Sequence, residues 1–306
     1  MKSITVHGSI NLDCVAWGDR LPEKGQSIFG YAFSMHAGGK GANQAVQAAR
    51  MGAEVYLIGS VGADTGGRVL MDSLKCCGVK LDYVSINHEM ASGACVIHVD
   101  SSGNNALISA PLCNAAITAN QIDEAMETIK NSGVFITQLE TNFEVVEYGL
   151  KTAKRHGVTT VLNPAPAHEL DPGLYQYIDY FTPNETEAEF YTGILRSQYD
   201  MDEWKKRTAG CLLQKGIRNV VITMGDKGAY YACGNREIWV DAYWVDAVDS
   251  TAAGDAFNAA FSYGLNGGLP VEECLRLGCR AGAYAAAHKG AIDSLGTKDE
   301  IMKIGG

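Results

Sequence analysis

Along most of this chain, short runs of β-forming residues alternate with patterns typical of amphipathic helices, and no other feature restricts the fold as much. The β-forming runs lie at 4–6, 55–58, 134–139, 159–162, 180–182 and 220–223. The helical patterns lie at 41–51, 66–77, 121–131, 143–156, 185–192, 204–215, 255–265 and 271–288. Strands and helices in alternation form parallel sheets covered by helices on both faces. We therefore predict an α/β fold with a doubly wound, mostly parallel sheet, whose ligands bind at the carboxyl ends of the strands.

Two segments break this alternation with strand-like patterns of their own, at about 14–36 and 92–112. In the second, apolar residues at 94–99 and 106–108 flank the polar stretch 101–105, which predicts a hairpin. We expect the two segments to form a small β-sheet at the edge of a single domain that spans 1–306. Such a sheet suits a lid over a ligand, and its exposed apolar face predicts pairing with a second copy of the chain as a homodimer.

Composition limits the partners of such a fold. The 306 residues are 46% hydrophobic, enough for one large core. With 25 Lys plus Arg against 35 Asp plus Glu, the formal net charge of −10 argues against a nucleic-acid surface and against binding to anionic membranes. The nine cysteines show no paired metal-type spacing and are predicted to be reduced thiols. No apolar run approaches the roughly 18 residues of a membrane span, and no cleavable leader precedes the first strand, so we expect a cytoplasmic protein.

One carboxylate stands at the predicted start of an apolar helix. Asp255 follows Ala252, Ala253 and Gly254, whose small side chains allow a ligand to approach the backbone closely. Free N–H groups and the helix dipole favour an anion at such a position, and a carboxylate beside them can take a proton from an attacking hydroxyl. These properties indicate group transfer. The alternative is that Asp255 only stabilises the first turn of its helix.

Two further motifs are expected near the first strand. Asn11 and Asp13 are predicted at its carboxyl end, where they can bind neighbouring hydroxyls of a polyol or simply form an Asx-type turn. The glycine-rich loop 38–41 opens a helix and brings Lys40 and Asn43 within reach of one ligand, although a tight strand-to-helix turn also explains it. It lacks the spacing of a phosphate-binding P-loop, and the chain contains no Gly-x-Gly-x-x-Gly, which removes the main support for a dinucleotide dehydrogenase.

Four more predicted strands end in polar or glycine-rich residues. Glu140 and the segment 163–167 follow two of them. Asn184 and Glu187 are three residues apart at a helix start, where their oxygens suit Mg²⁺ and its waters or form an ordinary capping box. The segment 223–229 can lie along the phosphates of a nucleotide or form a hairpin turn. Because strand ends converge on one edge of a doubly wound sheet, we expect one shared site.

Taken together and in this order, the motifs resemble those of the ribokinase (PfkB) family of carbohydrate kinases. The similarity covers nearly the whole chain and rests on the segments 8–13, 38–46, 138–140, 163–167, 182–189 and 248–255. It implies a ribokinase-like α/β fold and ATP-dependent phosphorylation of a pentose, D-ribose first, at its 5-hydroxyl. Phosphoryl transfer depends mainly on alignment and charge stabilisation, which suits this set of groups.

The resemblance also implies roles for individual residues. Asp255 matches the catalytic base, and the N–H groups of Ala252, Ala253 and Gly254 match the anion hole. The positions matching sugar contacts are Asn11, Asp13, Gly38, Gly39, Lys40, Gly41, Asn43, Glu140 and Asp255. The positions matching nucleotide contacts are Asn184, Glu187, Thr223, Met224, Gly225, Asp226, Lys227, Gly228 and Gly254. Glu187 would organise Mg²⁺ through water, and a K⁺ site would be formed by Asp249, Thr251, Ala285, His288, Gly290 and Ser294.

The chain also departs from the pattern common in that family. Gln26 and the segment 112–115 differ near the predicted lid, and Cys279 stands where an asparagine is common near the adenine. Two alternatives to a ribose kinase therefore stay open. One is a kinase of the same family that acts on another pentose, a nucleoside or a ketohexose. The other is a catalytically silent sugar-binding regulator, against which the intact Gly254, Asp255, Asn184 and Glu187 argue.

Overall fold

The computed structural model describes residues 1–102 and 104–305, apart from the side chain of Asn105; Gly103 of the predicted hairpin turn and Gly306 lie outside the described residues. The strands are β1 (Ile4–His7), β2 (Asn11–Gly18), β3 (Gly30–Gly38), β4 (Val55–Gly62), β5 (Lys80–Asn87), β6 (Gly93–Val99), β7 (Asn105–Ala110), β8 (Val134–Thr137), β9 (Thr159–Leu162), β10 (Tyr180–Phe181), β11 (Asn219–Thr223), β12 (Gly228–Cys233) and β13 (Arg236–Asp241). The helices are α1 (Lys40–Arg50), α2 (Thr65–Cys76), α3 (Ala119–Glu124), α4 (Met126–Asn131), α5 (Phe143–Arg155), α6 (Glu185–Thr192), α7 (Met201–Gln214), α8 (Ala253–Asn266), α9 (Val271–Ala286) and α10 (Lys298–Ile301).

The predicted doubly wound sheet is confirmed. Its strand order is β13-β12-β11-β10-β9-β8-β1-β4-β5, parallel except for the antiparallel pairs β11–β12 and β12–β13. Side chains of β8 alternate between two buried clusters: Val134 and Ile136 pack with α1, α8 and α9, while Phe135 packs on the opposite face with residues of α5 and α7. Both faces of the sheet are therefore covered by helices, as the strand-helix alternation predicts.

Some elements differ from the prediction. Strand β5 and the hairpin β12–β13 were not predicted. The single helix expected at 121–131 is two short helices, α3 and α4, because Ala125 between them leaves helical geometry at φ −84° and ψ 1°. Helix α7 begins earlier than predicted, at Met201, since Asp200 caps it by accepting a hydrogen bond from Glu203 N.

A second, smaller sheet with the order β3-β2-β6-β7 follows directly from the first. The prediction that Asn11 and Asp13 end the first strand is wrong: β1 ends at His7, and both residues lie in β2, which begins after a turn at 8–10. Asn11 is paired with Gly38 on β3 and with Gly93 on β6. Aromatic and aliphatic side chains of this sheet are exposed, among them Tyr31, Phe33 and Ile108.

No helix in the described ranges is long and apolar enough to cross a membrane.

Candidate active site

Helix α8 begins without a capping side chain. Its first flanking residue, Ala252, has left-handed backbone geometry with φ 61°, and Ala253 N donates to Ser250 O at 3.2 Å. The next two N–H groups, of Gly254 and Asp255, have no hydrogen-bond partner among the described residues. A Cβ added to Gly254 would meet nothing within 4 Å. The positive end of the α8 dipole and two free donors therefore face open space, which favours an anion.

Asp255 is buried beside these donors. Its two carboxylate oxygens accept hydrogen bonds from Asn43 Nδ2 and Gln44 Nε2, each at 2.9 Å. Burial raises the pKa of Asp255, while the charge of Lys40 and the two amide hydrogen bonds oppose that rise. A carboxylate that is held in place and made more basic by burial has the properties of a general base.

A chain of buried amides fixes Gln44 in turn. Gln138 Nε2 donates to Gln44 Oε1 at 2.7 Å, so the acceptor of Gln44 is occupied and its NH₂ group faces Asp255. Gln44 Nε2 also lies 3.2 Å from Asn163 Oδ1. These amides come from α1 and from the ends of β8 and β9, and together they determine the position of the Asp255 carboxylate.

Lys40 and Glu140 form the next part of the site. Lys40 Nζ lies 3.6 Å from Glu140 Oε1, and Ser9 Oγ donates to Glu140 Oε2 at 2.5 Å. Burial alone lowers the pKa of Lys40, but the charges of neighbouring carboxylates, Asp255 first, outweigh it and leave that pKa raised. Lys40 therefore stays a cation at the centre of an acidic site.

Asn11 and Asp13 reach the same place from the second sheet. Residues two apart in a strand lie on one face, so both side chains lie on the same side of β2. Burial raises the pKa of Asp13 to about 6, and the charge of Glu140 adds to the shift. Gly39, with φ 92°, is needed here, because a Cβ on it would lie 2.8 Å from Asn11 N. The glycine loop and β2 thus pack together as one wall.

Asn184 and Glu187 form a capping box at the start of α6. Asn184 Oδ1 accepts from Glu187 N at 2.9 Å, and Glu187 Oε2 accepts from Asn184 N at 2.8 Å. The structural alternative for this pair is therefore correct, and it does not exclude a ligand. Burial raises the pKa of Glu187 to about 6, against the opposing hydrogen bond from Asn184 N and the charge of Lys40.

A cavity of about 200 Å³ joins the Asp255 region to the capping box. The residues lining it come from the ends of several parallel strands and from the starts of α1, α6 and α8, as predicted for this fold. They are Lys40, Asn163, Ala165, Asn184, Glu187, Thr223, Ser250, Ala252, Gly254, Asp255 and Asn258.

Only part of the segment 223–228, which was predicted to contact the nucleotide, lines this cavity. Thr223 lines it, whereas Asp226 and Lys227 line a separate open cavity of about 560 Å³ together with Trp239. Lys227 Nζ lies 3.9 Å from Glu185 Oε1. A 3₁₀ turn, Gly225–Lys227, joins β11 to the antiparallel β12, so the hairpin alternative for this segment is correct. A backbone hydrogen bond closes this turn: Met224 N donates to Gly228 O at 2.8 Å.

The two segments predicted to hold K⁺ lie against each other. Asp249 Oδ1 accepts from Thr251 Oγ1 at 2.6 Å, and Asp249 Oδ2 accepts from Gly290 N at 3.0 Å. Ser294 Oγ donates to Ala291 O, and the His288 ring Nδ1 lies 2.7 Å from Tyr284 O. Ala285 is buried, and because its methyl side chain has no ligating atom, only its backbone carbonyl could take part in ion binding.

Several polar residues of the site were not predicted. Ser9, Gln44 and Asn163 lie within segments that were quoted as motifs, so a count of hydrogen-bonding residues in those motifs would have found them. Asn114 lies in the segment 112–115, which was noted only as a departure from the family pattern, and Asn258 lies just after Asp255 on α8. Asn258 is one helical turn after Gly254 and donates to its carbonyl at 2.8 Å, a spacing visible in the sequence.

Comparison with known proteins decides the family. Residues 1–298 match the family described as pfkB family carbohydrate kinase. The chain belongs to the pfkB family of carbohydrate kinases. The predicted resemblance and the predicted fold class are thereby confirmed for this pfkB protein.

Relatives of this pfkB kinase include enzymes named for two different sugars. A ribokinase of Haemophilus influenzae is 34% identical over 303 residues, covering 99% of this chain and 98% of that protein. A deoxyribokinase of Salmonella typhi is also 34% identical, over 292 residues, covering 95% and 94%. The structure of Arabidopsis thaliana ribokinase complexed with ribose and ATP is 30% identical, with a TM-score of 0.93 and coverage of 99% and 98%. The equal identities to a ribokinase and a deoxyribokinase leave the choice of sugar to the residues of the site.

Proposed function

We propose that this pfkB-family kinase transfers the γ-phosphoryl group of ATP to the 5-hydroxyl of D-ribose. The observation that carries the proposal is the position of Asp255, a buried carboxylate held by Asn43 and Gln44 beside the uncapped start of α8. The relatives named ribokinase, and the ribokinase structure complexed with ribose and ATP, support the choice of substrates.

Asp255 would act as the general base. As the ribose oxygen bonds to the γ-phosphorus, its proton passes to the Asp255 carboxylate, and the bond from the γ-phosphorus to the oxygen of ADP breaks. The free N–H groups of Gly254 and Asp255 would stabilise the charge on the transferring oxygens. The protein has little covalent chemistry to perform, so alignment of the two substrates supplies most of the rate.

Asn11, Asp13, Lys40 and Glu140 would bind the other hydroxyls of the sugar. Ionised carboxylates accept hydrogen bonds only, so each hydroxyl that donates to Asp13 or Glu140 keeps lone pairs that need a donor. The raised pKa of Lys40 keeps its ammonium group protonated and available as one such donor.

The residues present fit Mg²⁺ held mainly by phosphate oxygens and water. Within residues 1–102 and 104–305, no group of three or more His, Cys, Asp or Glu side chains is placed to cage a metal. Glu187 offers a buried carboxylate on the cavity wall, which suits contact through water. Mg²⁺ would neutralise charge on the β- and γ-phosphates. Asn184 and Thr223, which also line the cavity, would contact the nucleotide.

Asp249 is the anionic group that would attract K⁺. Its carboxylate joins Thr251 to Gly290 close to the start of α8, so a cation there would add positive charge behind the proposed anion hole. The exposed apolar side chains of the second sheet, among them Tyr31 and Phe33, support a homodimer through the lid. A cytoplasmic location remains a prediction from the sequence.

ADP release from Mg-ATP with a panel of sugars and nucleosides tests the proposal. D-Ribose is expected to give the highest kcat/KM, and Asp255→Asn should lower kcat by about two to four orders of magnitude while sugar binding is retained. Asp299→Asn, a change at an exposed aspartate of α10, is the matched control and should leave turnover unchanged. Turnover near that of the wild type in Asp255→Asn would disprove the assignment of the base.

The equal identity to a deoxyribokinase makes 2-deoxy-D-ribose the second candidate acceptor. The same panel separates the two, because a deoxyribokinase would prefer the deoxy sugar. Sugar binding without ADP release from any acceptor would instead indicate a regulator.

A further inference from the structure

Asn114 lies at the root of the second sheet, on a short 3₁₀ helix after β7, and it is completely buried. Its side-chain amide is paired with the backbone of Ile10: Asn114 Oδ1 accepts from Ile10 N at 3.0 Å, and Asn114 Nδ2 donates to Ile10 O at 3.1 Å. A backbone N–H can only donate and a carbonyl can only accept, so these two contacts determine which way the Asn114 amide faces.

The second hydrogen of Asn114 Nδ2 points to Asn11. Asn114 Nδ2 lies 2.8 Å from the side-chain oxygen of Asn11, Oδ1. Because Asn114 presents a donor, Asn11 must turn its oxygen towards Asn114 and its NH₂ group away. In the described part of the chain, Asn11 Nδ2 has no hydrogen-bond partner, and the atom is not fully buried. It is thus a free donor on the face of β2 that carries Asp13.

The space that this pair occupies is left open by Gly93, which is opposite Asn11 on β6. A Cβ on Gly93 would overlap both Asn114 Nδ2 and Asn11 Oδ1. The paired amides therefore depend on a glycine at position 93, and the hydrogen bond from Asn114 Nδ2 sets the orientation of Asn11.

A donor at this point complements the rest of the site. Asp13, Glu140 and Asp255 offer acceptors when ionised, and one hydrogen of the Asn43 amide NH₂ is already used on Asp255. Among the described residues, Lys40 Nζ and Asn11 Nδ2 are side-chain donors available to the lone pairs of a sugar hydroxyl. If the Asn11 amide were turned around, another oxygen would face a hydroxyl whose proton is already directed to a carboxylate.

We propose that Asn114 is a positioning residue, which holds the NH₂ group of Asn11 towards the sugar and so makes the site select a pentose that carries the hydroxyl accepting from it. This inference rests on the proposed function and adds a determinant of sugar choice. It gives the buried Asn114, which does not line the cavity at Asp255, an effect on substrate recognition through Asn11.

The test compares D-ribose with 2-deoxy- and 3-deoxy-D-ribose in the full-length protein. For Asn114→Ala, kcat/KM with D-ribose should fall by roughly ten- to a hundredfold, mostly through KM, since a buried sugar hydroxyl is left without its donor. The deoxy sugar that lacks the contacted hydroxyl should change by less than about threefold. Equal losses for all three sugars would show a structural role only and would overturn the proposal.

A double-mutant cycle tests whether Asn114 acts through Asn11. In an Asn11→Ala background, Asn114→Ala should have no further effect on the ratio of kcat/KM for D-ribose to kcat/KM for the deoxy sugar. If Asn114→Ala lowers that ratio as much in this background as in the wild type, the proposal is overturned. Asn114→Asp keeps the acceptor for Ile10 N, loses the donor to Ile10 O and presents an oxygen to Asn11, so it should reverse the Asn11 amide and reduce the same ratio. This variant keeps the test valid if Asn114→Ala does not fold.

Sugar binding measured by calorimetry separates this proposal from the proposed function. A wild type that binds D-ribose more tightly than the deoxy sugars, but releases no ADP, would contradict the proposed function. The role of Asn114 would then be decided by whether Asn114→Ala lowers the ratio of D-ribose affinity to deoxy-sugar affinity. A wild type that turns over D-ribose, with binding ratios unaffected by Asn114→Ala, would contradict the role of Asn114 alone.

Discussion

The hydrogen bond from Gln44 to Asp255 lowers the pKa of the proposed base, and removing it allows that effect to be measured. Burial raises the pKa of Asp255, whereas the Lys40 charge and the two amide donors oppose the rise. Gln44→Met keeps the length of the side chain and removes one of those donors. A hydrogen bond to a charged group contributes about 1.5–3 kcal/mol, and one pKa unit corresponds to about 1.4 kcal/mol. The change should therefore raise the pKa of Asp255 by about one to two units.

The sign of the effect on turnover follows from the role of Asp255. A general base must be deprotonated, so a higher pKa moves the acid limb of the kcat profile to higher pH, by the same one to two units or so. Near the original limb kcat should fall by about ten- to a hundredfold and recover at higher pH. KM for the sugar should change little, because Gln44 contacts Asp255 rather than the sugar-side carboxylates.

The assay is kcat as a function of pH at saturating sugar. Saturation matters because Asp13, whose pKa burial raises to about 6, also titrates in the free protein and affects kcat/KM. Gln47→Met is the matched control: Gln47 is buried on the same helix, and its NH₂ group donates to Gly296 O rather than to Asp255. A pH-independent loss of kcat in Gln44→Met, or a limb that moves to lower pH, would refute the reasoning.

Three further predictions follow from other parts of the structure. The raised pKa of Asp13 means that the folded state holds its proton up to about pH 6, so Asp13→Asn should stabilise the ligand-free protein more at pH 7.5 than at pH 4.5 in thermal unfolding. A pH-independent difference would contradict this. Asp249→Asn should reduce activation by K⁺ over Na⁺ in turnover assays, and equal activation would exclude Asp249 from the cation site. Gly8→Ala should destabilise by about 1–3 kcal/mol in urea, because its Cβ would lie 2.7 Å from Gly41 Cα, while Gly210→Ala, with nothing within 4 Å, should not.

The parts of the fold that could be predicted from the sequence are those whose signal is local. The buried parallel strands are continuous apolar runs, and the start of α8 is marked by three small residues before Asp255. Strand β5 was missed because it is an edge strand with a mixed burial pattern, and a continuous apolar run is absent from it. The split between α3 and α4 has no glycine or proline to mark it.

The parts of the site that could not be predicted depend on contacts between distant segments. Gln44 meets Asp255 across 211 residues, and Asn114 meets Asn11 across 103 residues. No spacing rule connects such pairs. Conversely, Asp226 and Lys227 follow the carboxyl end of β11, where ligands of such sheets bind, yet the 3₁₀ turn places both side chains at another cavity. Strand ends predicted where the site lies, but not which side chains face it.

The turn at 8–10 connects β1, an interior strand of the large sheet, to β2 of the second sheet. In consequence, the second sheet supplies part of the proposed acceptor contacts, Asn11 and Asp13, while the main sheet and its helices supply the rest and the proposed chemistry. Substitutions around Asn11 and Asp13 can thus alter which hydroxyl compound is accepted without disturbing the amides that hold Asp255. A scaffold divided in this way can diversify its acceptors through changes in one sheet while a single phosphoryl-transfer apparatus is retained.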